Sequence, residues 1–414
     1  MRKASVLVVG AGIIGVCSAL ALPRAGFSIT LADPEPPGAM ASYGNAGAIA
    51  VTEVMPLSAP GLVWRLPRWL LDPLGPLSIR WRHLPALLPW LWRFSCCTRG
   101  AEIERISRAL AALMGTAMAD FRPLLGAAGI AHTLVENGAL TVYRDAGAFA
   151  RDAVEWETKR ARGVRFEVVD AGEIARLEPA LGRDFGCGVF APDWSHVLDP
   201  YEVVSAVAAL FEREGGQKLA ARVADFEFRD GHPVAARAST GERIGFDQVV
   251  VAAGVWSKAL ARRLGSRVLL ACERGYNTTL PAPGVTIHRE VIFAQDKFVM
   301  TPMRMGLRIG GAAEFAGIDA AADYRRCKAL LTLARRHVPG LDARGGTEWM
   351  GQRPSCPDSL PVIGRSPHHP NVLYAFGHGH LGLTQAATTG RLVATLARGA
   401  QPDIDLRPFR IDRF

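Results

Sequence analysis

The sequence predicts a mixed α/β protein of two or three folding units, and three observations carry that expectation. A strand, a glycine-rich turn, a helix and a second strand open the chain. Short buried-strand runs and helical stretches follow one another beyond it. The 414 residues are 49% hydrophobic and 21% charged, with 43 Gly and 27 Pro, which suits a globular chain and excludes coiled coil, collagen and disorder. A chain of this length buries a large core without disulfide staples.

The opening unit is the most informative. Val6-Leu7-Val8-Val9 reads as a buried strand of a parallel sheet. Gly10-Ala11-Gly12-Ile13-Ile14-Gly15 follows at once, a helix runs on from Ile13 to Ala25, and Gly26 ends it. Pro23 in the last turn is expected to kink or shorten that helix. Phe27–Leu31 makes the second strand, and Asp33 stands at its end, 21 residues after Gly12. Gly10 permits the tight turn, Gly12 lets a pyrophosphate approach the backbone, and Gly15 lets helix and strand pack closely. The helix N-terminus offers N–H groups to phosphate, and Asp33 can accept from a ribose diol. With strand, helix, second strand and acid in register, the pattern is a dinucleotide site. It also overrides another reading of the N-terminus, in which Arg2 and Lys3 ahead of the uncharged run Ala4–Pro23 mark a signal peptide or spanning helix. Asp33 leads into Pro34-Glu35-Pro36-Pro37-Gly38 and then the small, polar loop Ser42-Tyr43-Gly44-Asn45-Ala46-Gly47, which suits close approach to a flat ring system. An NAD enzyme would usually continue with further βαβ units.

Residues 55–97 hold five of the nine Trp (64, 69, 81, 90 and 92) interleaved with Arg65, Arg68, Arg80, Arg82 and Arg93, with Asp72 as the one acid. Their seven prolines forbid a spanning helix. Two readings stay open: a membrane-interface segment, or a lid packed on the rest of the protein. Glu102–Ala128 then reads as one helix stopped by Gly129, Ala139–Tyr143 as a strand, 147–162 as a helix and Val164–Val169 as a strand. Asp199-Pro200 starts a helix to Glu214, with the acid as cap and Pro at the first position. Strands are expected near Arg222-Val223, Glu227-Phe228 and Asp247–Ala252. Phe298–Met303 and Leu307–Gly311 read as a hairpin turning near Arg304–Gly306. Gly377–Thr384 reads as a loop entering a C-terminal helix.

The fingerprint, the Ser42–Gly47 loop, Val250–Ser257, Glu273–Tyr276, Gly351-Gln352-Arg353-Pro354 and Gly377–Thr384 together resemble the D-amino-acid oxidase-like FAD-dependent oxidoreductases. Bacterial D-amino-acid dehydrogenases are the nearest in look, and the run Trp69–Arg80 is shared with glyphosate oxidoreductase-like and related members. The resemblance covers nearly the whole chain. It implies a Rossmann-like FAD-binding domain (1–54, 198–266 and 345–414) with an inserted substrate-binding domain (55–197 and 267–344) built on a mixed or antiparallel sheet.

It also implies where FAD lies: against Gly10, Gly12, Ile13, Ile14, Gly15, Asp33 and Pro34, the loop residues Ser42, Asn45, Ala46 and Gly47, and Val223 at the adenine. Ala252, Ala253, Gly254 and Trp256 complete that side, and Gly379, His380, Leu381, Gly382, Leu383 and Thr384 come from the C-terminal loop. Thr384 is expected to hydrogen-bond the flavin pyrimidine edge, and the helix behind it to stabilise negative charge there. No Cys stands in that loop, so FAD is expected to be non-covalent. Arg353 of the family's G-x-R-P would pair its planar fork with a substrate carboxylate. Tyr276 would face the substrate, with packing as the alternative, and His380 would shape the pocket. His378 and His380 lack a third partner for a metal, so none is predicted.

The activity implied is dehydrogenation of the Cα–N bond of a D-amino acid, with D-proline or cis-4-hydroxy-D-proline among the candidates, and a quinone or carrier as acceptor. Two rivals remain: an oxidoreductase of N-substituted glycines such as sarcosine, glycine or glyphosate-like compounds, and an electron-relay flavoprotein subunit. The charge balance of 48 basic against 39 acidic residues would suit nucleic acid, an anionic membrane or anionic substrates. The basic residues are scattered singly and no nucleic-acid signature occurs, so nucleic acid is not an expected partner. Seven Cys, an odd number without C-x-x-C, point to a reducing cytoplasm, with 55–97 as a peripheral contact on the inner face of the membrane.

Overall fold

A computed structural model describes residues 3–58 and 75–414. Trp64, Trp69, Arg65, Arg68 and Asp72 therefore lie outside the described residues. So does half of the run shared with glyphosate oxidoreductase-like enzymes, residues 69–74.

The strand Ser5–Val9 lies inside a six-stranded sheet. Its order is Gln217–Ala220, Ser28–Asp33, Ser5–Val9, Gln248–Val251, Val372–Phe376 and Val362–Arg365, parallel until the last strand, which runs antiparallel. Apolar β-branched runs such as Gln248–Val251 belong in such a place because both faces are covered. One cover is the helix Ile13–Arg24 packed against the helix Gly382–Ala397. A Cβ on Gly390 would stand 2.6 Å from the Cys17 carbonyl oxygen, so the two backbones touch at a residue with no side chain. Pro23 is accommodated inside the last turn of the first helix rather than ending it early.

Among the described residues the second sheet has nine strands. Across it run Thr347–Ser355, Ala271–Leu280, Gly306–Phe315, Phe298–Met303, Glu290–Phe293, Ala139–Tyr143, Cys187–Ala191 and Glu167–Asp170, with Leu77–Ile79 pairing beside Gly306–Phe315. Most pairs are antiparallel, but Glu290–Phe293 runs parallel to Ala139–Tyr143, so the sheet is mixed. The expected hairpin is present, Phe298–Met303 against Gly306–Phe315. Its back face carries an apolar core under the helix Arg325–His337.

Several boundaries differ from expectation. The strand Thr347–Ser355 hydrogen-bonds to Ala271–Leu280, so the substrate-side sheet reaches past 344 into the stretch assigned to the FAD domain. The single helix expected over 102–128 is two, Gly100–Met114 and Ala117–Ala128, broken at Gly115, while Gly129 takes the left-handed cap at φ 76°. Strand Glu167–Asp170 begins later than expected, and the two short strands near 223 and 228 are one, Val223–Arg229. Helix Pro200–Arg213 starts as its sequence requires: the Asp199 carboxylate accepts from the Tyr201 N–H at 2.9 Å and the Glu202 N–H at 3.2 Å.

Leu84–Cys96 forms a helix whose buried residues are Leu87, Trp90 and Phe94, while Leu88 and Trp92 stand exposed. Among the described residues no helix is long and apolar enough to cross a membrane. All seven cysteines are unpaired thiols, six of them buried. Burial pushes the Cys17 thiol up to about 12, which makes it inert.

Candidate active site

A cavity of about 400 Å³ opens at the C-terminal ends of the parallel strands. Gly10 adopts φ 108°, and a Cβ there would sit 2.5 Å from the Ala252 carbonyl oxygen, so only glycine lets the first turn close over the neighbouring strand. Gly15 does not reach the cavity. A Cβ on it would fall 1.8 Å from the Gly10 oxygen, so its role is helix-to-turn packing. A Cβ on Gly12 would meet only Ser42 Oγ, at 3.7 Å, so this backbone borders the cavity without crowding. That hydroxyl accepts from the Ile13 N–H at 3.2 Å, and the N-cap residue Gly12 has no side chain of its own to cap the turn, so the first turn presents its positive end to the cavity. The Asp33 carboxylate accepts from the Ala11 N–H at 2.7 Å and the Glu35 N–H at 2.9 Å, fixing it at the cavity wall. Pro34, Val223, Ala252, Ala253, Gly254 and Trp256 complete this end.

These residues fit FAD. Backbone lies bare at Gly12, the N-terminus of the helix faces the space, and a rigidly held carboxylate ends the second strand. Ile13 and Ile14 line the phosphate end, while Gly379, Gly382 and Leu383 line the other end together with His378. His378 is buried, its Nε2 lies 3.0 Å from Thr389 Oγ1, and burial lowers its pKa to about 3, so it is neutral. Among the described residues no group of His, Cys, Asp or Glu is placed to hold a metal. Thr384 lines neither this cavity nor the next. Its hydroxyl accepts from the Ala50 N–H at 3.0 Å and donates to the Ala48 oxygen at 3.3 Å, tying the helix to the strand Ala48–Ile49. The expectation that it reaches a flavin edge gives way to that structural tie. Gly47 likewise serves the turn, at φ 81° beneath the Val197 carbonyl.

A second cavity, of about 430 Å³, meets the first at Ala41, Asn45 and Gly379. Arg353 enters it from the strand Thr347–Ser355, with its Nη1 donating to Glu273 Oε1 at 2.9 Å across the strand pair. The Ser355 hydroxyl donates to the other Glu273 oxygen at 2.5 Å. Burial alone would raise the Glu273 carboxyl, but the Arg353 charge and the hydrogen bonds from Ser355 and Arg353 outweigh it, so it is held below the usual carboxylate range. The Arg353 side chain stays 31% exposed, so it can take a further anion. The guanidinium lies over Gly275, where a Cβ would stand 2.2 Å from Nη2. Two residues back along the chain, a Cβ on Gly351 would strike the Trp349 ring at 1.9 Å, and one on Gly44 would strike it at 2.2 Å.

His380 opens on this cavity with Ala46 and Leu381. Burial lowers its pKa most, Glu273 opposes, and Arg353 lowers it again, so the imidazole is neutral at neutral pH. Tyr276 borders the cavity, but its hydroxyl donates to Glu314 Oε2 at 2.6 Å and accepts from the Asp323 N–H at 3.0 Å. Its neighbour Arg274 is fully buried and holds the Gly317 carbonyl at 2.7 Å. Strand alternation is the reason: Glu273 and Gly275 face the cavity, so Arg274 and Tyr276 face the other way. The expectation that the Tyr276 hydroxyl meets a substrate carboxylate is corrected accordingly. Arg308 is spent on Asn45, its Nη1 donating to that carbonyl at 2.5 Å, and so braces the glycine-rich loop.

The far wall is charged. Lys159 Nζ pairs with Glu53 at 2.9 Å and Glu155 at 3.4 Å, and Glu290 accepts from the Trp194 indole N–H at 3.1 Å. Burial, with the Glu53 charge adding to it, pushes the Glu290 carboxyl up to about 8. Glu53, Lys159, Glu290 and Trp349 were not legible as site residues. Trp349 and Glu273 could have been found by stepping in twos from Arg353 and Gly275. Glu53 and Glu290 carry no local signal at all.

The profile of the FAD dependent oxidoreductase family (DAO) matches residues 5–396. The chain is 37% identical over 417 residues to the D-amino-acid oxidase of Bradyrhizobium diazoefficiens, covering 99% of this chain and 98% of that protein. It is 33% identical over 427 residues to the D-amino acid dehydrogenase of Paramagnetospirillum magneticum, with 99% and 98% covered. Among solved structures, the glycine oxidase from Geobacillus kaustophilus superposes with a TM-score of 0.75 at 21% identity over 100% of both chains. The L-proline dehydrogenase from P. horikoshii gives 0.76 at 18% identity, over 100% of this chain and 98% of that one.

Proposed function

The chain belongs to the DAO family of FAD-dependent oxidoreductases, and on that premise we propose that it oxidises the Cα–N bond of D-amino acids. The observation that carries the reading is Arg353. It is a partly exposed guanidinium facing a substrate-sized cavity that opens on the FAD cavity at Asn45 and Gly379. FAD, when bound, supplies the acceptor for the Cα hydride. Gly10, Gly12, Ile13, Ile14 and Asp33 hold its ADP part, and Asn45, Ala46, Gly379, His380 and Leu381 surround the place where the two cavities meet. Arg353 binds and orients the substrate carboxylate, and Glu273 and Ser355 hold that fork in place. His380 is neutral and can take a proton from the substrate ammonium, which frees the lone pair needed to expel hydride. Trp349, Trp194 and Trp156 supply apolar surface to the same cavity. The imine product then takes up water outside this chemistry and yields a 2-oxo acid and ammonia.

A quinone or carrier as electron acceptor, and a peripheral membrane contact on the cytoplasmic face, belong to the same proposal. What supports the contact is a stripe of exposed residues on one helix and its lead-in: Trp81 at 76% and Trp92 at 75%, with Leu84 and Leu88 between them. Arg82 lies over the Trp81 ring at 5.1 Å. Trp, Leu and Arg in one patch fit the headgroup layer.

The test is anaerobic bleaching of the purified flavoprotein by a panel of D- and L-amino acids, D-proline, sarcosine and glycine. Reduction by D-amino acids and not by their L-enantiomers is expected. Reduction by sarcosine or glycine alone would move the chemistry to N-substituted glycines, and no reduction by any of them would leave an electron-relay subunit.

A further inference from the structure

The far end of the second cavity is built for more than a methyl side chain. Its floor is the strand pair Glu290–Phe293 and Ala139–Tyr143, with Glu290 beside Ala139 and Ile292 beside Thr141. Alternation sends Val291, Leu140 and Val142 into the core behind, and Glu290, Ile292 and Thr141 toward the cavity. Glu290 is 2% exposed. One of its oxygens takes the Trp194 N–H at 3.1 Å, and no cation among the described residues pairs with it. Its neighbours are already matched: Lys159 is held by Glu53 and Glu155, and Lys297 faces Glu53. The Asp152 carboxylate accepts from the Tyr143 hydroxyl at 3.4 Å. The wall thus carries the carboxyls of Glu53, Asp152, Glu155 and Glu290 against the ammoniums of Lys159 and Lys297. A buried carboxyl that faces a cavity with no cation against it is a ready acceptor for a cationic ligand group, which would let it ionise.

We propose that this wall is a subsite for a cationic side chain, so that the preferred substrates are D-amino acids bearing an amine or guanidinium at the end of a long chain. The inference rests on the D-amino-acid reading above and names its substrate class. Sheet geometry sets the scale. Arg353 stands on the edge strand, Glu290 lies four strands away in register with Thr347 rather than with Arg353, and the two mark opposite ends of one cavity of about 430 Å³. A cavity of that volume takes an extended lysine or arginine zwitterion, whereas alanine would leave its far end empty. Electrostatics agrees: Glu290 is protonated at neutral pH when nothing sits against it, and an arriving cation reverses that, with the proton leaving to water.

The experiment compares D-arginine and D-lysine with D-norleucine and D-citrulline, which keep the length without the charge, and with D-glutamate, which reverses it. The holoenzyme should favour the cationic pair by about tenfold or more in kcat/KM, and that ratio should fall toward one in Glu290→Gln. Binding is measured separately by calorimetry on holoenzyme whose flavin has first been reduced with dithionite, so that ligand binds without turnover. D-arginine should bind about tenfold tighter than D-citrulline and release a proton, seen as a heat that depends on the buffer's ionisation enthalpy. Equal or better use of D-norleucine, a preference for D-glutamate, or a Glu290→Gln enzyme that keeps the cationic preference overturns the subsite. Should no D-amino acid reduce the flavin while D-arginine still binds with Glu290-dependent selectivity, the oxidation reading fails and the subsite stands.

Discussion

Gly275→Ala should disable the enzyme without unfolding it. An alanine Cβ at this position would stand 2.2 Å from Arg353 Nη2, 2.5 Å from Cζ and 2.7 Å from Nε. Ordinary contact distance is about 3.5 Å, so the guanidinium must retreat by about 1 Å. What moves is the partly exposed end of a long side chain, and Gly275, although beside a register shift in the ladder, is not a positive-φ glycine, so the backbone accepts the change. The functional cost is larger. A displacement of about 1 Å breaks the alignment with Glu273 and with any substrate carboxylate, and misplacement on that scale costs roughly 100-fold, about 2.7 kcal/mol of transition-state stabilisation. The assay is stopped-flow flavin reduction with the best D-amino acid, alongside FAD absorbance and a thermal melt. Flavin content and Tm should match wild type while kcat/KM falls by about two orders of magnitude. In a double-mutant cycle, Gly275→Ala should add little to Arg353→Ala, because both act on one contact. A folded, FAD-loaded Gly275→Ala enzyme with kcat/KM near wild type would refute the reasoning and remove Arg353 from the carboxylate site.

Arg353→Ala should itself keep FAD and lose roughly two orders of magnitude in kcat/KM, since a charge-assisted bond contributes about 1.5–3 kcal/mol and the pair has two. Arg353→Lys keeps the charge without the fork and should still be impaired, and a D-amino-acid amide should scarcely distinguish wild type from Arg353→Ala. Asp33→Ala should lose FAD on dialysis while remaining folded, because the carboxylate that ends the second strand also braces the Ala11 N–H; unchanged flavin content counts against this. The Glu290 carboxyl has its pKa raised from 4.5 to about 8, so between those values the native state holds a proton that the unfolded state has lost. Its contribution therefore weakens as pH rises through that window, by up to about 1.4 kcal/mol per pH unit. Glu290→Gln should accordingly gain Tm relative to wild type on going from acid to neutral pH, and parallel Tm profiles would show that the group is not raised. Finally, wild type should bind anionic vesicles at low salt, and Trp81→Ser with Trp92→Ser should weaken that binding; if wild type binds none, 55–97 is a lid and not a membrane contact.

Much of this molecule is written locally. The turn at Gly10, the approach at Gly12 and the acid at Asp33 were legible because each is demanded within one strand–helix–strand unit, where neighbours in sequence are neighbours in space. Asp199 as a cap, Gly129 as a left-handed stop and the hairpin turning near Gly306 were legible for the same reason. Arg353 and the family's chemistry came from short motifs that keep their spacing. Local pattern also misled. Nothing between Glu102 and Ala128 but Gly115 marked the break between two helices, and Tyr276 was read as facing substrate because its motif does not say which side of a strand it takes. The pleat decides that: once Glu273 turns toward Arg353, Tyr276 must turn toward Glu314. Thr384 was drawn away by Ala48 and Ala50, more than 300 residues distant in the chain. The charged wall is wholly a product of packing. Glu53, Lys159 and Glu290 come from a loop, a helix and a strand far apart in sequence, and an isolated Glu in a sequence reads as a solvated surface residue. Only the fold removes its water, leaves it without a cation and so makes it a place where a ligand's charge matters.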